Sequence, residues 1–230
     1  MNRTILGCAL LALATAPAHA RERTPAQGFA NPSAVIAAEL AFAKLAQEKG
    51  QWTAFRETAT KDAVMFVPQM VLAQEHLKDK ADPANPVKWQ PHQVWSSCDG
   101  SIGVTRGAWQ AGEATGWFTT IWQRQQKGQY KWIMDQGDAL PMPLDPPDMI
   151  VAKVADCPAG YRGSRQKRKD VKGKVVLGDP TQRSGQSDDG TLSWEVKVEP
   201  DGSRRFAMAL KLDGQMTPVQ VVEVAAPEKK

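Results

Sequence analysis

The sequence predicts an α+β protein, with helices first, then strands in antiparallel hairpins, and a further strand unit beyond a proline-rich break. Three observations carry this. Val35, Ala38, Phe42 and Leu45 recur at helical spacing. From Gln93 the apolar period changes to two. Four prolines then fall within residues 140–149, and one-faced strands return after them.

The elements follow in order. Residues 21–30 read as a loose leader. Asn31-Pro32 is an N-cap followed by proline at the first helical position, and Gly50 stops the helix. Trp52, Phe55 and Ala59 mark a second short helix, residues 62–68 a strand, and residues 70–80 a third helix. Asp99-Gly100 joins two strands as a hairpin, and a second hairpin turns at Lys127-Gly128. Residues 31–139 thus form one unit, and 140–149 a linker. Residues 150–226 form a strand-rich extension with a basic loop at 162–174. In the extension, Leu192, Trp194, Val196 and Val198 share one face, and so do Phe206, Met208, Leu210 and Leu212. Three strands with one apolar face need cover. The expectation is that they pack on the first unit, and a homodimer is the other way to cover them.

Residues 116–138, GWFTTIWQRQQKGQYKWIMDQGD, hold three of the eight tryptophans. A three-residue turn at 126–128 sets Trp122 opposite Trp132. A two-residue turn would oppose Arg124 and Lys131, a like-charge pair that costs stability. In the preferred register one face carries Phe118, Thr120, Trp122, Trp132 and Met134. The other carries Trp117, Thr119, Ile121, Ile133 and Asp135. Both faces are apolar, as in a sheet covered on both sides.

The ends and composition bound the function. Residues 1–20 carry Arg3, a short apolar run and Ala18-His19-Ala20, the pattern of a signal peptide cut after Ala20. This predicts a periplasmic or secreted protein. Cleavage removes Cys8 and leaves Cys98 and Cys157, an even pair in an oxidising compartment, so a disulfide is expected. The net charge of +4 is too small to imply a nucleic-acid partner. The basic loop, with seven Lys or Arg among residues 162–174, is a candidate contact for an anionic envelope surface.

No phosphate loop, dinucleotide fingerprint, nucleophile elbow or metal motif is present, and no cofactor is expected. His76 and His92 lack a third ligand in any metal-binding spacing. Acid–base chemistry on a small apolar molecule remains open. It needs a carboxylate with a raised pKa in an apolar pocket, and a donor beside it. Asp62, Asp135 and Asp138 are the available acids, and Tyr130 and the indoles the available donors.

The helix with AELAFAKLAQEKG, the segment QWTAFRETATKDAVMFVP and the closing strands ending in KGQYKWIMDQGD resemble the nuclear transport factor 2-like superfamily, among its SnoaL-like members. The resemblance covers residues 32–139. It implies a cone, with helices laid across a strongly curved antiparallel sheet and a pocket between them. Members include isomerases, dehydratases, cyclases and non-catalytic binders.

The reading favoured on this basis is an exported protein that binds a small apolar or aromatic molecule without converting it. Trp122 and Trp132, or Ile121 and Ile133 in the other orientation, are the candidate ligand-binding residues. Asp135 is the candidate catalytic residue. One alternative is a cofactor-free isomerase, dehydratase or cyclase using that carboxylate. A second is an envelope accessory protein that docks a partner.

Overall fold

Asn31 starts the first helix as its residue type dictates, its side chain accepting from the Ala34 amide at 3.0 Å. The structure, a computed structural model, describes residues 29–163, 175 and 177–227. Helix α1 spans Pro32–Lys49 and buries Val35, Glu39, Phe42 and Ala46. The expected stripe is turned by one position, so an acid takes the place predicted for Ala38.

Gly50 ends α1 at φ 108°, and α2 follows at Gln51–Thr58. Glycine is required there twice over. The positive φ disfavours other residues, and a Cβ would fall 2.3 Å from Asp82 Cγ. Asp82 needs that space because it caps α2, accepting from the Trp52 and Thr53 amides.

Strand β1 is Ala59–Phe66. The third helix expected over 70–80 begins instead as a strand, β2 at Met70–Leu72, and only Ala73–Leu77 is helical, as α3. The cause is the turn at Pro68, where the Val67 amide donates to the Gln69 carbonyl and folds Met70 back on Phe66. The meander follows: β3 Lys88–Ser96, β4 Ile102–Ala111, β5 Ala114–Arg124 and β6 Tyr130–Leu140. The last strand of this sheet, β7, is Val151–Val154.

These strands form one sheet in the order β2-β1-β6-β5-β4-β3-β7. The sheet is mixed, where an antiparallel one was expected, because β1 runs parallel to β6 and β7 parallel to β3. The four meander strands are antiparallel, as their hairpins demand. The parallel pairs arise where chain entering or leaving the meander is added at its flanks. The proline-rich segment carries the chain from the end of β6 back to the β3 edge.

The C-terminal unit is a second sheet of β8 Gln182–Gln186, β9 Leu192–Val198, β10 Arg204–Leu212 and β11 Gln215–Val224. Strand β8, with sequence QRSGQ, has no apolar alternation to predict it. Leu192, Trp194, Val196, Phe206, Met208 and Leu210 pack against Ile102, Val104, Ile121, Ile133 and Met134 of the first sheet. The meander therefore finds its cover within the chain, and each fully buried side chain contributes about 1.5–3 kcal/mol. On the opposite face, α1, α2 and α3 cover Trp122 and Trp132.

The β5–β6 turn has the expected three-residue form: the Gln125 amide donates to Gln129 O, and Trp122 pairs with Trp132. A β-bulge then intervenes, since Ile121 pairs with Met134 and leaves Ile133 as an extra residue. This corrects the predicted faces. Asp135, assigned with Ile121 and Ile133, comes to the helix-covered face shared by Trp122 and Trp132.

Cys98 and Cys157 form a disulfide across 59 residues, with Cα atoms 5.1 Å apart. It ties the β3–β4 turn to the segment after β7. Two similar turns interlock beside it. The Cys98 amide donates to Thr191 Oγ1 at 2.9 Å, and the Asp188 amide donates to Ser101 Oγ at 2.9 Å. Residues 164–174 of the basic loop lie outside the described residues, and with them the expected surface contact. No helix among the described residues is long and apolar enough to cross a membrane.

Candidate functional site

A cavity of about 480 Å³ opens between the helices and the first sheet. Phe42, Trp52 and Phe55 enter it from α1 and α2, Trp89 from β3, Trp109 from β4, and Phe118 from β5. Asp135 and residues 136–139 of β6 complete the wall. The aromatic rings are mutually braced. Phe42 meets Phe55 at 4.7 Å and Trp89 at 4.8 Å between centroids, both edge-on. The size falls within the range of small-molecule sites, roughly 300–1,000 Å³.

Trp109 owes its position to a glycine in the neighbouring strand. Gly116 is its direct cross-strand partner, and a Cβ there would lie 2.3 Å from the indole ring. The bare backbone lets the ring lie flat, with its Nε1–H donating to Trp117 O at 3.1 Å.

Asp135 is the carboxylate of this cavity. The bulge delivers it there, and cross-strand pairing sets it opposite Thr120, whose hydroxyl donates to it at 2.7 Å. Burial pushes its pKa up from 3.8 to about 7. The Thr120 hydrogen bond and Arg204 oppose the rise, while Glu39 adds to it.

Glu39 lies fully buried beneath the cavity. Its carboxylate accepts from Thr105 Oγ1 at 2.5 Å, Trp89 Nε1 at 2.7 Å and Trp122 Nε1 at 3.0 Å. Burial raises its pKa, and the three hydrogen bonds pull against that rise. Thr105 pairs with Thr120, and Thr120 with Asp135. One polar row therefore links the two acids, Glu39–Thr105–Thr120–Asp135, across three strands of an otherwise apolar face.

Of the acids and hairpin residues singled out from sequence, Asp135 lines the cavity and Asp138 stands at its rim. Trp122 and Trp132 are buried below it, their indoles committed to Glu39 and to Thr58 Oγ1 at 3.0 Å. Ile121 and Ile133 point to the other face, into the core between the sheets. Asp62 pairs with Arg183 at 3.1 Å, away from the cavity. Asp138 stands exposed at the rim, accepting from the Ala139 amide. Tyr130 is spent on Gly100 O at 2.6 Å. Among the described residues no cluster of three His, Cys, Asp or Glu could hold a metal.

Sequence reasoning missed Glu39 and the aromatics of the helices. The signal was present: Glu39 stands four residues after Val35 and three before Phe42, an acid set within an apolar stripe.

No family model and no curated protein matches the sequence. Solved structures do. A ketosteroid isomerase candidate from Parabacteroides distasonis is 16% identical, with a TM-score of 0.38, covering 50% of this chain and 96% of its own. Another from Kribbella flavida is 9% identical, with a TM-score of 0.35, covering 62% and 97%. An NTF-2-like protein of unknown function from Burkholderia xenovorans is 14% identical, with a TM-score of 0.30, covering 50% and 86%. The chain is thus similar to solved proteins described as ketosteroid isomerase-like and NTF-2-like, the resemblance drawn from residues 32–139 of the sequence.

Proposed function

We propose that the cavity binds a small, largely apolar molecule carrying one polar group, and that this group meets Asp135. The observation that carries this is the Asp135 carboxylate, set inside a wall of edge-packed aromatic rings, with the exposed Asp138 at the rim. Apolar walls supply affinity, and one fixed polar group supplies orientation. A carboxyl with a pKa near 7 takes a hydroxyl, an amine or a carbonyl as its partner, accepting when ionised and donating when protonated.

The same pKa favours a second reading, proton transfer without a cofactor, as in an isomerisation or dehydration. A group that titrates near neutral pH serves as acid and base in turn. Thr120 and Glu39 would then be positioning residues. Thr120 fixes the Asp135 carboxyl, and Glu39 holds the sheet to α1.

Titrating an apolar phenol such as 1-naphthol, while following tryptophan emission and heat, tests the first reading. Saturable 1:1 binding is expected, weakened several-fold by Asp135→Asn and abolished by filling the cavity with Ala114→Trp. Binding that survives Ala114→Trp unchanged would place the ligand elsewhere. Turnover of a cyclic β,γ-unsaturated ketone, lost in Asp135→Asn with binding retained, would establish the second reading.

We also propose that the chain works outside the cytoplasm, after cleavage following Ala20. The Cys98–Cys157 bond supports this, because such bonds persist in oxidising compartments. Protein from the envelope or medium should begin at Arg21, and an uncleaved chain recovered only from cytoplasm would refute export.

A further inference from the structure

Directly behind the acidic row, on the other face of the same three strands, lies a row of opposite character. Arg106 in β4, Thr119 in β5 and Gln136 in β6 are direct cross-strand partners. Each is the chain neighbour of Thr105, Thr120 or Asp135, so strand alternation turns it toward the second sheet.

The second sheet supplies two more polar groups. Arg204 of β10 donates from Nε to Gln136 Oε1 at 3.1 Å and from Nη2 to Gly137 O at 2.7 Å. Gln220 of β11, with its amide oxygen turned to Arg106, accepts from Nε and Nη1 at 3.2 and 2.7 Å. The Arg106 guanidinium lies 4.7 Å over the Trp117 ring, and that of Arg204 lies 5.1 Å over Phe66.

This layer holds donors in excess. Thr119 and Gln136 are 0% and 3% exposed, yet Thr119 Oγ1 and Gln136 Nε2 have no hydrogen-bond partner. Among the described residues no carboxylate stands within ion-pair distance of Arg106 or Arg204. Asp138 and Asp135 attract Arg204 only at longer range. Burial disfavours the charge on both guanidiniums. Two partly buried cations and two orphaned polar groups thus occupy one layer between the sheets, where a buried charge is costly unless paired.

We propose that this inter-sheet layer binds one small monovalent anion, held by Arg106, Thr119, Gln136 and Arg204. A water molecule would satisfy Thr119 and Gln136 but would leave both guanidiniums without a counter-ion in contact. The guanidiniums are packed against the Trp117 and Phe66 rings and the second sheet, so the anion we propose is a small one, a halide or a formate-sized carboxylate. The anion site rests on its own residues, whatever the aromatic cavity binds, although Gln136 also belongs to that cavity's wall. It does bear on Asp135, whose pKa Arg204 holds down. An anion beside Arg204 weakens that effect, so its binding raises the Asp135 pKa further.

The test uses the full mature protein at constant ionic strength. Sodium gluconate, too large to enter, is replaced in steps by sodium bromide or sodium formate while the unfolding midpoint is followed. The midpoint should rise by several degrees with the logarithm of the small anion's concentration. Response to bromide identifies a halide site, and response to formate alone a carboxylate site. The response should vanish in Thr119→Val, which keeps the volume and removes the hydroxyl, and in Arg106→Met. Equal midpoints in all three salts, or an undiminished response in both variants, would overturn the proposal. Should either variant fail to fold, wild-type crystals grown in bromide decide independently. An anomalous peak between Arg106 and Gln136 supports the site, and its absence from those crystals together with an unresponsive formate arm refutes it.

Discussion

The indole N–H of Trp122 in β5 donates to the Glu39 carboxylate in α1 at 3.0 Å, joining the first helix to the centre of the sheet inside an apolar core. Trp89 and Thr105 donate to the same group. Removing the acceptor orphans the Trp89 indole and leaves Trp122 and Thr105 with weaker bonds, to Thr105 Oγ1 at 3.1 Å and Thr120 O at 3.4 Å. Each orphaned buried donor costs about 1–3 kcal/mol. Glu39→Ala should therefore destabilise the protein by roughly 3–5 kcal/mol, the range for breaking a buried polar network. Glu39→Gln should cost less, because its amide oxygen still accepts. Urea unfolding of the two variants measures the difference, and equal stabilities would mean that the network carries no load.

Asp135 makes stability depend on pH in a direction unusual for a carboxylate. Its folded pKa, about 7, lies above the ordinary carboxyl value of 3.8. Between those values the folded state keeps a proton that the unfolded state has released. The group's contribution is greatest at the acid end and is lost as pH rises through 7. Asp135→Asn removes this dependence. Relative to wild type, the variant should gain up to roughly 4 kcal/mol between pH 4 and 8, at about 1.4 kcal/mol per pKa unit. Denaturant midpoints across that interval check the sign, and a variant that tracks wild type would show Asp135 ionised throughout.

Gly116→Ala tests how the cavity is shaped. The added methyl would meet the Trp109 ring and, at 2.2 Å, Asp138 O. The ring must move, and overpacking of this kind costs about 1–3 kcal/mol. Binding of the phenol probe should weaken by more than the stability loss alone explains. Gly128→Ala, in a turn where a Cβ would meet nothing within 4 Å, is the control for backbone strain at an open site.

The disulfide closes a loop of 59 residues, and in the chain-entropy account it contributes about 4 kcal/mol. Reduction, or Cys98→Ser with Cys157→Ser, should lower the unfolding midpoint by several degrees. The interlocked turns at Ser101 and Thr191 should hold the second sheet in place when the bond is absent. A thiol count on denatured, unreduced mature protein should be zero.

Periodicity made much of this fold legible before any coordinates. The meander, the three-residue turn at 126–128, the one-faced strands of the second sheet and the cysteine pair all follow from local chemistry. Features set by distant contacts did not. Strand β8 carries no apolar alternation because it is a polar edge. The parallel placing of β1 and β7 depends on chain crossing from afar. The bulge at Ile133 has no residue type to announce it, yet it decides which face receives Asp135. The candidate site was legible at that one acid alone. Glu39 was passed over because an acid in a helix is ordinarily solvated, and here only the sheet above it supplies the partners.

The seven-stranded sheet ends on three-residue β2 and four-residue β7, both far shorter than the strands between them. Long open edges are where chains add to one another and where fibrils begin. Here the unpaired backbone at each flank is only a few peptide units long, and β7 carries Lys153. In the second sheet β8 is polar throughout, and β11 is broken by a register shift next to Pro218. Both sheets thus end on strands that are short, polar or irregular, which weakens each edge as a template for a newcomer strand.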